Sequence, residues 1–276
     1  LELEKKIRVD SGFIVMKDRK YPLLTKLILD LGVDLHPTSM SFGVETENLK
    51  WCSNDFLKLR FLNSFKKIRL FLEMIRFNKL ASNVETNSSV EYWLRKNNFS
   101  DFFISNYILP MSSSIWSSSQ ESIKRVPMKS LSSFFKNHGL LDLLKRPQWF
   151  TVLGGSDNYV EKINHVSDIN NVITDAELLI KREGNKISLQ NKGLTSQYDL
   201  LIFACHANQI QEILTDISPK EAEILSMFDY TSNNVLLHDD KNLMPKEESL
   251  WSSWNSFKSK NYDYVTYWMN NLQKLD

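Results

Sequence analysis

The sequence predicts an α/β protein of two domains, in which a helix-rich domain is inserted into an α/β body. The chain has 276 residues with 42% hydrophobic content, which is enough for one large core or two smaller ones. Apolar residues recur at helical spacing between residues 45 and 148, whereas short strand-like runs with tight turns follow residue 149. This arrangement is typical of enzymes with a cleft between two domains.

Residues 1–44 are predicted to form the first part of the α/β body. Pro22 suits the first turn of a helix and Gly32 can end it, so a helix is predicted between them. Three elements are predicted here: a strand at 7–16 interrupted by a turn at Ser11-Gly12, a helix at 21–31 and a short strand at 38–44.

Residues 45–148 are predicted to form the inserted, helix-rich substrate domain. Within 56–80, apolar side chains return every three or four residues, as on one face of a helix: Phe61, Phe65, Ile68, Leu72 and Ile75. Further helices are predicted at 92–97, 101–109 and 130–137, and the serine-rich stretch at 112–119 is predicted to be a loop.

Residues 149–232 are predicted to return to the α/β body, and 233–276 to a sheet of the substrate domain. Gly184-Asn185 is typical of a tight hairpin turn. The predicted strands lie at 149–153, 177–182, 186–190, 200–204, 233–238 and 264–269, and the predicted helices at 158–164, 208–214 and 219–227.

The composition argues against nucleic acid as a partner. Lysine and arginine total 34 and aspartate and glutamate 33, so the net charge of +1 gives no global field that attracts a polyanion. The two cysteines form neither a CxxC pair nor a disulfide framework, which predicts a reducing, cytoplasmic setting. No apolar run approaches the roughly 18–20 residues that cross a membrane.

The glycines supply no dinucleotide fingerprint. The sequence contains eight glycines, and neither GxGxxG nor the phosphate-binding GxxxxGK[ST] occurs in it. Gly154-Gly155-Ser156, between a predicted strand and a predicted helix, can bring backbone N–H groups close to a ligand. An ordinary strand–helix turn is the alternative interpretation. The stretch is not the G-x-S-x-G of a serine hydrolase.

Two polar clusters invite interpretation as metal or nucleophile sites. Cys205-His206 ends a predicted strand, but adjacent residues of a strand point to opposite faces and make poor joint ligands. His238-Asp239-Asp240 also follows an apolar run, where a polar strand end that enters a loop is the simpler interpretation. We therefore predict structural roles for both clusters and no metal site.

The helix predicted within 61–80 carries a strong positive charge. Five basic residues stand against Glu73 alone, which gives a net charge of +4: Lys66, Lys67, Arg69, Arg76 and Lys79. Two interpretations stay open. A basic amphipathic helix can lie on an anionic membrane surface, and an ordinary domain helix can carry a solvated basic face.

A series of segments in fixed order carries a family resemblance. They include VDSGFIV at 9–15, YPLLTKL at 21–27, TSMSFGV at 38–44, YILPMSSSIWS at 107–117, RPQWFTVLGGSDNYV at 146–160, YDLLIFACHANQ at 198–209, WSSWN at 251–255 and VTYWMNNLQ at 265–273. Together they resemble the bacterial predicted NAD/FAD-binding proteins related to flavin-containing amine oxidases. Each motif is modest, but their number and order make the resemblance specific over nearly the whole chain.

The resemblance implies a Rossmann-like FAD-binding domain, incomplete in these residues, with an inserted substrate domain. It implies FAD as the cofactor and an FAD-dependent oxidoreductase as the parent protein, whose flavin carries the hydride chemistry. The family's strand–GxGxxG–helix unit is expected before residue 1 and a C-terminal FAD-binding segment after residue 276. The chain is therefore expected to be an internal fragment that is inactive alone. No catalytic residue is assigned.

The resemblance also implies candidate site residues. Segment 9–13 aligns with the part of the family that passes the flavin ring, and residues 176–178 with a strand whose backbone meets the adenine. Glu177 departs from the apolar residue usual there. The cofactor-binding candidates are Ser11, Gly12, Phe13, Ala176, Glu177, Leu178 and Ala204; the substrate-pocket candidates are Asn158, Tyr159, Trp254 and Tyr267.

The substrate is predicted from the helical domain. The family includes amine oxidases, carotenoid desaturases, protoporphyrinogen oxidases and fatty-acid isomerases, and the apolar, basic helix favours a hydrophobic or lipid-like substrate. We expect a cytoplasmic protein; contact with the inner membrane through 61–80 follows only from the first of the two interpretations of that helix. Two alternatives remain: a non-catalytic relic or interaction module without flavin, and a peripheral lipid-binding protein.

Overall fold

The computed structural model describes residues 7–17, 20–55, 64–142, 148–166, 172–259 and 262–275. The chain divides into two compact units, one of Leu1–Ser167 with Leu236–Asp276 and one of Asp168–Val235. The sequence predicts domain boundaries at 44/45 and 148/149, whereas the structure divides the chain after residues 167 and 235. The helix-rich segment 45–148 therefore shares the first unit with the segments on both sides of it.

Two small sheets lie in the first unit. Strands β1 (Leu35–Thr38) and β4 (Trp149–Val152) pair antiparallel. The larger sheet contains β2 (Phe42–Thr46), β3 (Lys50–Cys52), β8 (Trp254–Lys258) and β9 (Asp263–Tyr267). Its strand order is β3-β2-β8-β9, with β2 parallel to β8 and the other pairs antiparallel. The single strand predicted over 38–44 is wrong, since the chain passes there from one sheet to the other.

The strand predicted over 7–16 is also wrong. Only Met16 pairs, through two backbone hydrogen bonds of 2.8 Å with Phe150. The preceding residues bend at Ser11 and Gly12. The backbone N–H of Asp10 donates to the Gln273 side chain rather than to a neighbouring strand, which explains why no ladder forms here.

The helices of the first unit largely fall where the sequence predicts them. Helix α1 spans Pro22–Asp30, and Gly32 follows it with a φ of +62°, a conformation that ends helices and favours glycine. The others are α2 (Phe65–Ala81), α3 (Val90–Lys96), α4 (Asp101–Phe103), α5 (Leu109–Trp116), α6 (Gln120–Arg125), α7 (Met128–Asn137), α8 (Asp157–Val166) and, near the end, Met269–Gln273. None of the described helices is both long and apolar enough to cross a bilayer.

The core of the first unit is built around aromatic rings. Phe77 of α2 lies at the centre, and the centroids of four other rings are 5.8–6.1 Å from its own: Trp93, Phe99, Phe103 and Phe135. Tyr107 stacks on Phe103 at 5.3 Å and on Trp51 at 5.6 Å. Such ring pairs add to the free energy gained from burial.

The face that α2 buries differs from the predicted apolar stripe. Its buried residues are Leu70, Met74, Phe77, Asn78 and Ala81. Phe65, Leu72 and Ile75 of the predicted stripe are exposed, and Phe61 lies outside the described residues. The helix has apolar side chains on two faces, so spacing alone could not tell which one packs inward.

The serine-rich loop predicted at 112–119 is wrong, because α5 continues to Trp116. A wider π-helical turn (104–108) precedes α5. Pro110 has no N–H to donate to the carbonyl of Asn106, and the Trp51 indole N–H donates to that carbonyl instead, at 3.0 Å. The hydroxyls of Ser113 and Ser114 bond back to the Pro110 carbonyl, which lets serines sit within a helix.

The second unit is a three-stranded meander with two helices. Strands β5 (Leu178–Glu183), β6 (Lys186–Asn191) and β7 (Leu194–Tyr198) are antiparallel, and the predicted hairpin turn at Gly184 is confirmed. Helices α9 (Ala207–Ile213) and α10 (Pro219–Ser226) follow. Helix Met269–Gln273 of the first unit is α11.

Two predicted strands are absent from the structure. Residues 200–204 and 233–238 form neither a strand nor a bridge with any described residue. Leu200 and Ile202 are 74% and 78% exposed, and Val235, Leu236 and Leu237 are equally open to solvent. Both runs have strand-like composition, but a strand also needs a neighbour to complete its hydrogen bonds.

Candidate functional site

The turn Gly154-Gly155-Ser156 is locked to the N-terminal segment by Asp10. The Asp10 carboxylate accepts hydrogen bonds from the Ser156 backbone N–H at 2.9 Å, from the Ser156 hydroxyl and from the Gln273 amide at 3.1 Å. The Asp10 N–H donates to Gln273 in return, at 2.8 Å. We call these three side chains the Asp10 cluster; it joins the chain before β1, the turn after β4 and α11.

The two glycines of the turn adopt backbone conformations that other residues rarely take. Gly154 has a φ of +77° and Gly155 one of +94°. A Cβ on Gly154 would stand 2.6 Å from the Asn158 side-chain nitrogen, which itself donates to the Leu153 carbonyl at 2.6 Å. The amide of the pocket candidate Asn158 therefore braces the turn.

Of the flavin-side candidates Ser11, Gly12 and Phe13, the last contacts this turn. The Ser156 hydroxyl donates to the Phe13 carbonyl, at 3.1 Å. Phe13 and Tyr159 both pack on a small core of Met16, Ile28, Val33 and Val152. The structure thus places the candidates Phe13 and Tyr159 on one core, beside the turn that Asn158 braces. Ser11 and Gly12 are exposed, and no atom lies within 4 Å of a Cβ placed on Gly12.

Ion pairs tie the same segment to α8. The Arg8 guanidinium is 3.1 Å from Asp157 and 3.0 Å from Glu161. The hydrogen bond and charge of Glu161, together with the charge of Asp157, raise the pKa of Arg8. All three side chains are half-exposed, so this contact orients the segment more than it stabilises it.

A buried amine that sequence reasoning missed lies behind this segment. Lys17 is 1% exposed, its Nζ is 4.1 Å above the Trp149 ring, and it donates to the His138 carbonyl. Burial, followed by the charge of Lys20, lowers the pKa of Lys17 to about 8. The His138 ring stacks on Phe134 at 4.2 Å, and burial lowers the pKa of His138. The one sequence signal was a lysine directly after the apolar run that ends at Met16.

The pocket candidates Trp254 and Tyr267 form a pair of their own. They face each other across β8 and β9, with ring centroids 5.6 Å apart. The Trp254 indole nitrogen is buried and has no hydrogen-bond partner among the described residues. Helix α11, which carries Gln273 to the Asp10 cluster, begins two residues after Tyr267.

In the second unit, the candidates Ala176, Glu177 and Leu178 lie together at the start of β5. Ala176 and Glu177 are exposed, and Leu178 is half-buried opposite Asn191. The Glu177 N–H donates to the Asn191 side chain at 3.1 Å. Ala204 lies outside the sheet, in the exposed run that precedes α9.

The histidines of the two polar clusters make local contacts. His206 begins α9 and stacks on Tyr230 at 4.3 Å, while the Tyr230 hydroxyl accepts a hydrogen bond from the Ala207 N–H. The Asp240 N–H donates to His238 Nδ1 at 3.2 Å. Within the described parts of the chain, no three His, Cys, Asp or Glu side chains are grouped as metal ligands.

No family model and no curated protein matches the sequence. Solved structures do match the fold. A protein assigned as a protoporphyrinogen oxidase from Exiguobacterium sp. 255-15 gives a TM-score of 0.57 at 15% identity, over 90% of this chain and 58% of that one. A mutant from the redesign of cofactor binding in putrescine oxidase gives 0.56 at 11%, over 78% and 51%. Cyclohexylamine oxidase from Brevibacterium oxydans IH-35A gives 0.55 at 12%, over 79% and 52%.

The chain therefore has a fold similar to that of these solved oxidases. The predicted α/β class and the predicted resemblance are thereby confirmed at the level of the fold. The chain spans a little over half the length of the solved structures it matches.

Proposed function

We propose that this chain is part of an FAD-dependent oxidoreductase whose substrate is hydrophobic or lipid-like. The observation that carries the proposal is the Asp10 cluster, which holds Ser11, Gly12 and Phe13 at the surface of a body with an amine-oxidase-like fold. Bound FAD supplies hydride-transfer chemistry, and the protein binds, orients and desolvates the reactants. The proposed parent architecture is a Rossmann-like FAD domain with an inserted substrate domain.

Residues 11–13 fit the edge of a planar cofactor. Gly12 leaves open space beside its backbone, and the amides of Ser11 and Gly12 donate to no described residue, so they are open to a ligand. Phe13 offers an apolar side chain that packs, as Tyr159 does, against the small core at Met16 and Val152. The pyrophosphate requires a different segment, because no GxGxxG occurs in this sequence. The adenine end of FAD is proposed to contact Ala176, Glu177, Leu178 and Ala204.

An apolar substrate suits the pocket candidates better than an amine does. The pocket candidates Tyr159, Trp254 and Tyr267 are aromatic and Asn158 is an uncharged amide, so none of them offers a negative charge to a substrate ammonium. The carboxylates beside the turn are already engaged, because Asp10 accepts hydrogen bonds from Ser156 and Gln273 and Asp157 pairs with Arg8. Unsaturated fatty acids are therefore the proposed substrate class to test first.

The cofactor proposal is tested by titrating the purified chain with FAD and following flavin fluorescence. The φ of Gly12 is not positive and a side chain there meets open space, so Gly12→Leu folds normally while filling the proposed flavin surface. We expect at least about tenfold weaker FAD binding, or about 1.4 kcal/mol. Ser130→Leu, at an exposed position of α7, is the matched control and binds like the wild type.

A flavin-free module is the second candidate function. The observation that favours it is the second unit, in which Ile180 and Leu214 are the buried apolar side chains among the described residues. If neither the wild-type chain nor the control quenches FAD fluorescence, the hypothesis of a flavin-free module replaces that of an oxidoreductase for this chain.

If FAD binds, the substrate class is tested next. Anaerobic bleaching of the flavin by linoleate but not by putrescine supports the lipid-like substrate, and the reverse result rejects it.

A further inference from the structure

Helix α2 presents a second apolar face to solvent. Phe65, Leu72 and Ile75 are 82%, 60% and 43% exposed, and Ile68 lies half-buried between them. Their spacing of three and four residues places all four in one stripe, opposite the side that packs into the core. At 1.5 Å per residue, the stripe runs for about 15 Å along the helix.

Positive charge borders this stripe. Arg69 lies over the Phe102 ring at 5.4 Å and pairs with Glu73, while Arg76 lies over Phe99 at 4.2 Å. These contacts hold both guanidinium groups along one edge of the stripe. Lys66 and Lys79 are exposed, and the helix as a whole keeps its net charge of +4.

We propose that α2 docks the first unit onto an anionic lipid bilayer. The apolar stripe enters the interface between headgroups and acyl chains, and the basic residues contact the lipid phosphates. A second copy of this chain fits the same face less well, because two α2 helices would bring like charges together. This inference goes beyond the flavin chemistry, since it depends only on the surface of α2 and holds whether or not FAD binds.

Helix α1 offers a matched comparison within the same unit. Its exposed apolar residues Leu23, Leu27 and Leu29 are 83%, 41% and 59% exposed, nearly the same values as on α2. However, α1 is electrically balanced, because Lys26 pairs with Asp30 at 2.5 Å. If exposed apolar area alone drives vesicle binding, the two helices contribute equally. If charge and apolar area act together, α2 dominates.

The test is co-sedimentation of the full chain with two kinds of vesicle. One is phosphatidylcholine alone, and in the other phosphatidylglycerol replaces about a third of the lipid. The α2 variant combines Phe65→Gln, Leu72→Gln and Ile75→Gln, and the α1 control combines Leu23→Gln, Leu27→Gln and Leu29→Gln. A charge variant combines Lys66→Glu and Lys79→Glu. Circular dichroism and thermal unfolding first verify that each variant is folded.

We expect wild-type binding to the anionic vesicles to exceed that to phosphatidylcholine by about tenfold or more, and to fall with added salt. The α2 and charge variants should each lose about tenfold or more, while the α1 control binds like the wild type. Equal losses in the α1 and α2 variants, or unchanged binding in the charge variant, would overturn the proposal. So would a wild-type dimer in light scattering that the α2 variant converts to monomer, because α2 would then be covered by a second copy.

Discussion

The two units of this chain bury very different amounts of apolar surface. The first unit packs an aromatic core around Phe77, with a smaller core at Met16 and Val152. In the second unit, Ile180 and Leu214 are buried, while exposed apolar side chains such as Leu200, Ile202 and Phe228 far outnumber them. Both units have regular strands and helices. The contrast shows that a part of a chain can form regular secondary structure without a large apolar core.

The contrast also predicts how each unit is stabilised. Burial of apolar surface contributes roughly 25 cal/mol per Å², and small domains are marginal even with a full core. The second unit has few buried apolar side chains and carries a surface ion network: Arg182 is 2.8 Å from Asp216 and 2.7 Å from Glu221. Exposed ion pairs of this kind contribute little to the free energy of unfolding.

The largest expected effect is the loss of the Phe77 ring. Phe77→Ala should lower the free energy of unfolding of the first unit by about 3–5 kcal/mol, because it leaves a cavity among four rings. Urea denaturation followed by tryptophan fluorescence measures this unit alone, since all seven tryptophans lie in it. Ile180→Ala is the matched core deletion in the second unit and should leave that transition unchanged. An equal shift from both variants would show that the units unfold together.

A smaller effect is expected from the buried amine of the first unit. The folded state lowers the pKa of Lys17 from 10.5 to about 8, so the unfolded chain binds more protons between these values and stability rises with pH in that window. This linkage is worth at most about 3 kcal/mol. The stability of Lys17→Met relative to the wild type should therefore decline between about pH 8 and about pH 10.

Denaturation of Lys17→Met at several pH values measures that difference. Lys26→Met removes an exposed lysine of α1 and serves as the control for the loss of a lysine charge. A pH-independent difference between Lys17→Met and the wild type would contradict the burial of a charged amine at this position.

The smallest effect concerns the ion network of the second unit. The Arg182 hydrogen bond, with help from Ser218, lowers the pKa of Glu221 from 4.5 to about 2. Its contribution is therefore present above pH 4.5 and is lost as the pH falls toward 2. Hydrogen exchange of the α10 amides, corrected for intrinsic rates, should show faster opening with acidification in the wild type.

Arg182→Gln should reduce that acid dependence in α10, with the part due to Ser218 remaining. Lys186→Gln, which removes the exposed pair with Asp199 in the same unit, is the control and should preserve it. If Arg182→Gln and the wild type respond identically to acid, the network does not stabilise this unit, and the contrast with the first unit becomes sharper.

The sequence predicts elements that local signals define. Pro22 and Gly32 mark α1, and Gly184-Asn185 marks the hairpin of β5 and β6. The strands that the sequence wrongly predicts at 200–204 and 233–238 have the right composition, but strand formation depends on a neighbouring strand that composition does not reveal. Helix α5 was not predicted because proline and serine usually interrupt helices. The indole of Trp51, which donates to the carbonyl that Pro110 leaves without a partner, lies far away in sequence.

The candidate site also has a part that the sequence predicts and a part that it does not. The resemblance supplied Ser11–Phe13, Asn158 and Tyr159 as candidates, and the structure places Phe13 and Tyr159 on one small core, beside the turn that Asn158 braces. The interactions that hold them were not predictable, since Asp10 and Gln273 are 263 positions apart. Nor was the burial of Lys17, which results from packing against Trp149 and the loop at His138.

The Asp10 cluster constrains the order of events during synthesis. Asp10 and Gln273 are 263 positions apart, with the whole weakly buried second unit between them. The segment at residues 8–13 therefore cannot complete its contacts until Gln273 has left the ribosome. By then the apolar runs at 200–204 and 233–238 have already emerged, so chaperones can bind the nascent chain before the Asp10 cluster closes.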